Sequence, residues 1–556
     1  MKAALKKIIS DILVSEFSDN AIEFSIETPP NESLGDFACN VAMVAAKKLK
    51  SKPRDLAEKI KGALSAKSEL IESIDIAGPG FLNIRLKKSC WIQALKQIAD
   101  AKSKFGASSL FKGKKAMVEF VSANPTGPLH VGHGRNAVVG DVLGNLLKAV
   151  GYDVVKEYYV NDGGIQINTL GKSVWFRMKE LKGETIEFPP EAYQGDYIKD
   201  IASDVLAENR DFSGKSEADV IFELGTEAGN RILEEIKADL ANTGIIFDTY
   251  FFESTLYKEK KVDVALAELA EKKLTYTKDE ALWLQSTSYG DDKDRVLIKS
   301  DGHYTYLTPD ISYHRDKFAR GFDLLVNVWG ADHAGYVPRL KAALNGLGYP
   351  VENLHVALIQ MVALIKGGEL LSMSTRKAQY ETLEAVVKTV GRDIARYFFM
   401  MRSYQSQLDF DVELATKQSS ENPVFYLQYA HARICSIFAK AAEEQKSTGY
   451  WPTYEEAFVN ELDLPEEINL AKLALSYPSL IELAAQELAP HRVAFYTLDL
   501  ARAFQSYYDK ARADERYKAL SGSSEKIKAR LFLLGCIRQV LQNSLSILGV
   551  SAPEKM

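Results

Sequence analysis

An apolar run that ends at two prolines and resumes as a helix sets the tightest limit on what this chain can fold into. Ala116-Met-Val-Glu-Phe-Val-Ser122 has the apolar character of a strand buried on both faces. Asn124-Pro-Thr-Gly-Pro-Leu129 breaks any regular element, because a proline has no N–H to give to a ladder or a helix. A helix begins near His133, with Val138, Val139, Val142, Leu143, Leu146, Leu147 and Val150 at helical spacing and Gly151 as its stop. Tyr152-Asp-Val-Val-Lys-Glu-Tyr-Tyr-Val160 reads as the next strand. Strand, loop, helix and strand form the building block of a doubly wound parallel sheet, which places the centre of the chain in the α/β class with a Rossmann-like core.

The flanks read differently. Residues 1–110 look like a small α+β unit, with helical periodicity over 1–16 and 36–50 and another helix opening at Pro53. Ile74 to Leu86 reads as strand, turn, strand around Gly78-Pro-Gly80. Ala101 to Lys115, rich in Ser, Lys and Gly, reads as a linker. Helices and loops are expected over about 165–280, then strands near Val296–Ile298, Thr305–Leu307, Leu324–Trp329 and Val356–Leu364. From Ile394 onward the pattern is almost wholly helical, ending with Ile527 to Leu548. At roughly 100–200 residues per domain, 556 residues suggest three or four domains.

Several function classes are disfavoured. No apolar run approaches the ~18 residues of a membrane span, and Lys6, Lys7 and Asp11 interrupt the N-terminal apolar stretch where a secretion signal would be continuous. Cys39, Cys90, Cys435 and Cys536 form no C-x-x-C pair, so the expectation is reduced, buried thiols in a cytoplasmic protein without a zinc ribbon. A net charge of −6 argues against a nonspecific DNA binder. It leaves open an RNA partner met by local patches, such as Lys112, Lys114 and Lys115, or Lys510, Arg512, Arg516 and Lys518. Taken singly, each patch reads better as a solvated helix face or loop.

Ser122 to His133 carries the chemistry, because an open parallel sheet binds ligands outside the carboxyl ends of its strands. A helix N-terminus there presents free N–H groups and partial positive charge, which suits phosphate. Gly132 and Gly134 would let a flat base approach the backbone, and His130 and His133, three apart, share one face from which each could donate to a phosphate. The same residues could simply make a tight strand-to-helix turn. A metal pair is the weaker alternative, since H-x-x-H has no nearby third ligand.

Pro125-Thr-Gly-Pro-Leu-His-Val-Gly-His133 resembles the HIGH motif of class I aminoacyl-tRNA synthetases. With Glu119-Phe-Val-Ser122-Ala-Asn124 before it and Arg135 after it, the segment is similar to the arginyl-tRNA synthetase family. Leu34-Gly-Asp-Phe37 and Ala77-Gly-Pro-Gly-Phe-Leu-Asn83 resemble that family's N-terminal additional domain, and Tyr304-Thr-Tyr-Leu-Thr-Pro-Asp310 and Trp329-Gly-Ala-Asp-His333 its arginine-pocket segments. Phe425-Tyr-Leu-Gln-Tyr-Ala-His-Ala-Arg433 and Leu548-Gly-Val-Ser-Ala-Pro-Glu-Lys-Met556 resemble its helical anticodon-binding domain, so the likeness spans nearly the whole chain. It implies an α+β additional domain over 1–110, a Rossmann-like catalytic domain over 111–385 with its insertion, a connecting segment over 386–424, and an all-α anticodon-binding domain over 425–556.

The resemblance further implies an arginine–tRNA ligase that takes ATP as its Mg2+ complex, arginine and tRNA(Arg). It would be a cytoplasmic monomer with no protein-bound metal and no membrane or DNA partner. His130, Gly132, His133, Gly134, Met373 and Ser374 would meet ATP, with His130, His133, Arg376 and Lys377 catalytic. Tyr306 and Asp310, with Glu119 nearby, would take the guanidinium. Ser122 and Asn124, helped by His133 and His333, would hold the α-ammonium and carboxylate. One departure stands out. Ser372-Met-Ser-Thr-Arg376 occupies the place of KMSKS, so Ser372 and Thr375 replace both lysines, leaving Arg376, Lys377 and, more weakly, Lys366 as candidate cations.

Guanidinium is a rigid fork of donors that a carboxylate matches with two parallel bonds, and lysine fills only part of that geometry. Read from the residues alone, Pro309-Asp-Ile-Ser also looks like a helix start with Asp310 as its N-cap. Tyr426, Tyr429, Arg433, Tyr507, Tyr508 and Arg512 could stack on RNA bases, although most aromatic residues there are expected in the core. Three rival readings fit the sequence less well. A cysteine-type synthetase would need cysteines where none lies between Cys90 and Cys435. A small-molecule adenylyltransferase would need no helical domain of this size. An inactive tRNA-binding module would rest only on the two lost lysines.

Overall fold

The computed structural model describes residues 1–17, 22–29, 31–370, 382–444 and 451–556. In the N-terminal unit, helices Lys2–Phe17, Val41–Leu49 and Pro53–Lys67 cover an antiparallel sheet ordered Ile26–Glu27, Phe37–Cys39, Phe81–Leu86, Ile71–Ala77. One face of the first helix, Leu5, Ile9, Ile12 and Leu13, buries itself against Ile60, Leu82 and Ile84 in a core of its own. The helix expected over 36–50 is shorter than its periodicity suggested. Phe37 and Cys39 are both buried on one side of a strand, and the helix starts only at Val41.

The centre is built in chain order. Strand β1 (Lys115–Glu119) leads into helix α1 (Val131–Ala149) and back through β2 (Asp153–Val160). Helices α2 (Gly164–Leu181) and α3 (Glu217–Asn242) make up most of the insertion before β3 (Thr249–Phe252). Helix α4 (Leu307–Ala319) runs into β4 (Leu324–Gly330), followed by β5 (Leu354–Ile359) and β6 (Val362–Lys366). Beyond lie α5 (Leu383–Val390), α6 (Arg392–Met400) and β7 (Leu408–Asp411), and the chain closes with α7 (Ser524–Leu548). The five-stranded sheet runs β5-β4-β1-β2-β3, parallel throughout. Its order reverses beside β1, which puts the ligand-binding crevice of a doubly wound sheet at that strand's carboxyl end.

Five expectations need correcting. Residues 165–280 are not only helix and loop, because β3 lies inside them and pairs with β2. Thr305–Leu307 is no strand: Tyr304 makes a single bridge with Ile298, and α4 begins at Leu307. Val356–Leu364 is two strands parted at Gln360 and Met361, and β7 interrupts the expected helical tail by pairing in parallel with β6. The stretch 101–115 is clamped: Asn543 donates to the carbonyls of Lys102 and Phe105, both at 2.9 Å, and Phe105 stacks on Tyr477.

Helix α7 is long and apolar enough by composition to cross a membrane, contrary to the sequence expectation, yet 72% of its most apolar window is buried inside the protein. It reads as a core helix. Cys39, Cys90 and Cys536 are buried free thiols, whereas Cys435 is only half-buried.

The far side of α1 is fastened to α7 by a buried ion pair. The fully buried Arg396 bonds to the Asp141 carboxylate, donates from Nε to the Leu548 carbonyl at 2.9 Å, and from Nη1 to the Thr243 carbonyl at 3.1 Å. Asn145 adds a bond to the Ile547 carbonyl at 3.0 Å, and Lys156 reaches Asp141 at 2.6 Å. Burial alone would raise the Asp141 pKa, but Arg396 and Lys156 outweigh it and hold the carboxylate below its usual range. Removing one member of such a pair leaves charge and carbonyls uncompensated, so Arg396→Met should cost about 3–5 kcal/mol in chemical denaturation. Adding Asp141→Asn should recover part of the loss. A denaturation midpoint for Arg396→Met equal to wild type would show that the junction holds nothing.

Candidate active site

The turn after β1 is strained. Val121 and Ser122 take left-handed backbone angles, φ 64° and 43°, which cost a side-chain-bearing residue about 1–3 kcal/mol each. Neighbouring bonds hold them there. Val121 N donates to Asn136 Oδ1 at 2.7 Å, and Ser122 Oγ donates to Glu119 Oε1 at 2.8 Å and accepts from Tyr159 N at 3.1 Å. Asn136 Nδ2 donates to the Val328 carbonyl at 2.8 Å, so one amide pins the exit of β1 to β4 at the point where the sheet order reverses.

His130 is the N-cap of α1, which begins at Val131, two residues before the expected start near His133. Its Nδ1 accepts from Gly132 N at 3.0 Å and His133 N at 3.3 Å, while His133 Nδ1 accepts from His130 N at 3.3 Å. The N–H groups of Gly132 and His133, which the sequence reading offered to phosphate, are therefore taken by His130's own ring. The same bonds fix the tautomer: with Nδ1 accepting in both rings, the proton of each neutral imidazole sits on Nε2. The rings stack at 3.6 Å. Burial, reinforced by His130, pushes His133 down to about 4, and burial lowers His130 as well, so both are neutral donors near pH 7. Gly132 is required because a Cβ there would lie 2.9 Å from the His130 ring. At Gly134 a Cβ would meet Leu383 at 2.6 Å and Phe399 at 3.1 Å, so that glycine admits side chains of α5 and α6 rather than a base.

The first turn of α4 lies at the same carboxyl edge, because α4 runs into the start of β4. Asp310 sits in that turn, but Tyr306 holds the cap position, so the N-cap reading of Asp310 is set aside. The Asp310 carboxylate accepts from Tyr336 Oη at 2.5 Å instead. Burial pushes its pKa up to about 7; Glu119 and Glu253 push it further, against the Tyr336 bond and Lys317. Glu253 follows β3 directly, with its N–H on the Val160 carbonyl at 2.9 Å, and burial raises its carboxyl too.

Other sequence candidates fall in different surroundings. Glu119 is buried and already paired with the fully buried Lys317 at 2.7 Å, besides Ser122. Asn124 is exposed and donates to Gln166 Oε1 at 2.6 Å. Tyr306 is 76% exposed, and the exposed His333 faces Asp332 at 3.4 Å and lies 6.0 Å from the Trp329 ring. Met373, Ser374, Arg376 and Lys377 lie outside the described residues. Lys366 ends β6.

Sequence reasoning missed Tyr336, Glu253, Gln166 and the group behind Asp310. There His314 Nδ1 donates to the Asp310 carbonyl at 2.8 Å, Asn327 Nδ2 donates to His314 Nε2 at 2.6 Å, and Asn327 Oδ1 accepts from Lys317 at 2.9 Å. One signal was available: Asp310, His314 and Lys317 recur at helical spacing on a face otherwise apolar.

In the helical domain Arg433 lies between two rings, 4.4 Å from Tyr429 and 4.5 Å from Tyr508, and lines a cavity of about 550 Å3. Arg512 and Tyr508 line an adjacent cavity of about 440 Å3, and Tyr426 is half-buried, whereas Tyr507 is core, with its hydroxyl on Glu467. The basic patch read from Lys510, Arg512, Arg516 and Lys518 is largely neutralised, since each faces a carboxylate.

Comparison with known proteins agrees with this layout. Residues 94–403 match the family described as tRNA synthetases class I (R), catalytic domain; residues 1–86 match Arginyl tRNA synthetase N terminal domain; and residues 427–556 match DALR anticodon binding domain. An arginine–tRNA ligase of Citrifermentans bemidjiense is 47% identical over all of both chains, and one of Desulfosudis oleivorans is 44% identical over all of both. The solved arginyl-tRNA synthetase of Thermus thermophilus shares the fold over 100% of both chains, at 23% identity and a TM-score of 0.76. With all three of its segments matched in order and full-length relatives at such identity, the chain belongs to the arginyl-tRNA synthetase family of class I.

Proposed function

We propose that this chain activates arginine with ATP and transfers it to the terminal ribose of tRNA(Arg). The observation that carries the reading is Asp310, a half-buried carboxylate held by a neutral phenol at the edge where His130 and His133 present their Nε2–H donors. A guanidinium supplies the missing cation with two parallel bonds. In the first step an arginine carboxylate oxygen bonds to the α-phosphorus of ATP, the bond to the bridging oxygen breaks, and arginyl-adenylate and pyrophosphate result. Mg2+ enters with ATP as part of the substrate. The paired imidazoles donate to phosphate oxygens as charge develops, which is electrostatic stabilisation without a protein nucleophile. In the second step the ribose 2′-hydroxyl attacks the arginyl carbonyl and AMP leaves. The RNA partner fits the Arg433 and Tyr508 surface, where a guanidinium and rings offer stacking planes. ATP–pyrophosphate exchange, run with each amino acid and with or without tRNA, tests the assignment. Arginine-specific exchange is expected, and exchange driven by another amino acid would overturn it.

Arginine binding needs the ionised form of Asp310. With its pKa pushed up to about 7, arginine affinity should rise with pH through neutrality, since the bound cation releases the proton. The KM for arginine should be roughly tenfold higher at pH 6 than at pH 8. Asp310→Asn should weaken arginine binding at every pH and flatten the dependence; an unflattened profile would exclude Asp310 as the titrating group.

His130 has two separable tasks. His130→Asn keeps a side-chain acceptor at the N-cap and should leave stability within about 0.5 kcal/mol. It removes the Nε2–H donor, and exchange kcat should fall about 10²–10³-fold. If exchange survives in this variant, the imidazole does not meet the phosphates.

A further inference from the structure

Arg135 follows the histidine turn directly and is fully buried in the second turn of α1. Its guanidinium is shared among three backbone carbonyls from two separate loops. Nη1 donates to Gln360 and Ser406, both at 2.8 Å, and Nη2 donates to Ser403 at 2.9 Å. Gln360 is the residue at which the chain leaves the carboxyl end of β5, and Met361 beside it is 76% exposed. Backbone bonds tie the same two loops together: Gln360 N to Tyr404 O at 2.9 Å, and Leu408 N to Met361 O at 3.1 Å. Arg135 therefore spans from the first turns of α1 to the β5 exit, as the adjacent Asn136 spans from the β1 exit to β4.

The layout of the crevice says which ligand this distance serves. The electrostatic neighbours of Asp310 include Glu253 at the end of β3, and both carboxyls act on Tyr159 near the end of β2. The amino-acid side of the crevice thus lies towards β2 and β3. With the phosphates at His130 and His133, the adenosine half is left the side of β4 and β5, where Gln360 and Met361 form the wall.

Resting on the proposed reaction, we propose that Arg135 is a positioning residue for ATP: by gripping the Gln360, Ser403 and Ser406 carbonyls it fixes the separation between the imidazole pair and the strand end that receives the adenosine. No arginine atom needs this separation, so the two substrates should respond differently when the grip is lost.

The test is steady-state ATP–pyrophosphate exchange by the full chain, with KM measured separately for ATP and for arginine. Arg135→Met should raise the ATP KM about tenfold or more and leave the arginine KM within about twofold. Arg135→Lys, whose ammonium is a compact charge that cannot span all three carbonyls, should give an intermediate ATP KM. A merely structural role would move both constants together or lower only the amount of folded enzyme. Should Arg135→Met not fold, Arg135→Lys decides alone: an ATP KM raised severalfold with the arginine KM unchanged upholds the inference. An unchanged ATP KM, or the two constants rising in step, overturns it. A wild-type chain without arginine-dependent exchange even with tRNA(Arg) present would defeat the assigned reaction as well, which separates the two failures.

Discussion

The active edge depends on how the first turn of α1 is closed. A helix that starts at the carboxyl end of a parallel strand has unpaired N–H groups, and something must take them. Here the taker is the imidazole of His130, folded back over Gly132 so that its Nδ1 accepts two of them. That bond settles much else. It fixes where the ring proton sits, it places His133 in stacking contact, and burial of the stack keeps both rings neutral. It also allows only glycine at position 132. The strained Val121 and Ser122 belong to the same device, since the chain must turn sharply out of β1 to bring His130 to the cap.

Around this turn the buried charges are paired with fixed partners. Glu119 has Lys317; Glu157 has Arg320 at 2.6 and 2.9 Å and the Tyr313 hydroxyl at 2.6 Å; Asp141 has Arg396 and Lys156. Such pairs return little net stability, because desolvation offsets most of the attraction, but a broken pair is costly. Asp310 differs from them. Its hydrogen-bond donor is a phenol, two of its charged neighbours are carboxylates, and it binds a proton near neutrality in consequence. An acid raised by burial and like charge stands ready for a cation that arrives with its own donors. Glu119 is not free in the same way, since Lys317 already occupies it.

Much of the fold was legible because it rests on periodicity and on breaks. The run to Ser122, the prolines and the apolar face from Val138 onward placed β1, α1 and β2 to within a few residues. Two of the errors have a common origin, in that short strands completed by distant partners carry no local signal. Thr249–Phe252 and Leu408–Asp411 are four residues each and are strands only because β2 and β6 lie beside them. The histidine motif marked the candidate turn but not its wiring, because spacing cannot say that a ring will bend back and consume the N–H groups it was expected to leave free. Tyr336, Glu253 and the carbonyls held by Arg135 were invisible for the same reason. They come from loops brought together by the sheet.

Helix α1 does two jobs along one rod. His133 and Asp141 are eight residues apart in sequence, about 12 Å along the axis at 1.5 Å per residue. The first belongs to the turn proposed to meet the phosphates, and the second is held by Arg396, whose guanidinium also binds the last carbonyl of α7. On its other side α7 packs its buried face into the core shared with the Tyr477 and Phe504 helices of the anticodon-binding region. Interiors packed to this density do not absorb displacement. The helical domain is therefore fastened to the helix that carries the chemistry, within three turns of its histidines. With Arg135 and Asn136 gripping the near end and Asp141 and Asn145 the far end, α1 sets its position against both the crevice and the helical domain, and neither can shift without the other.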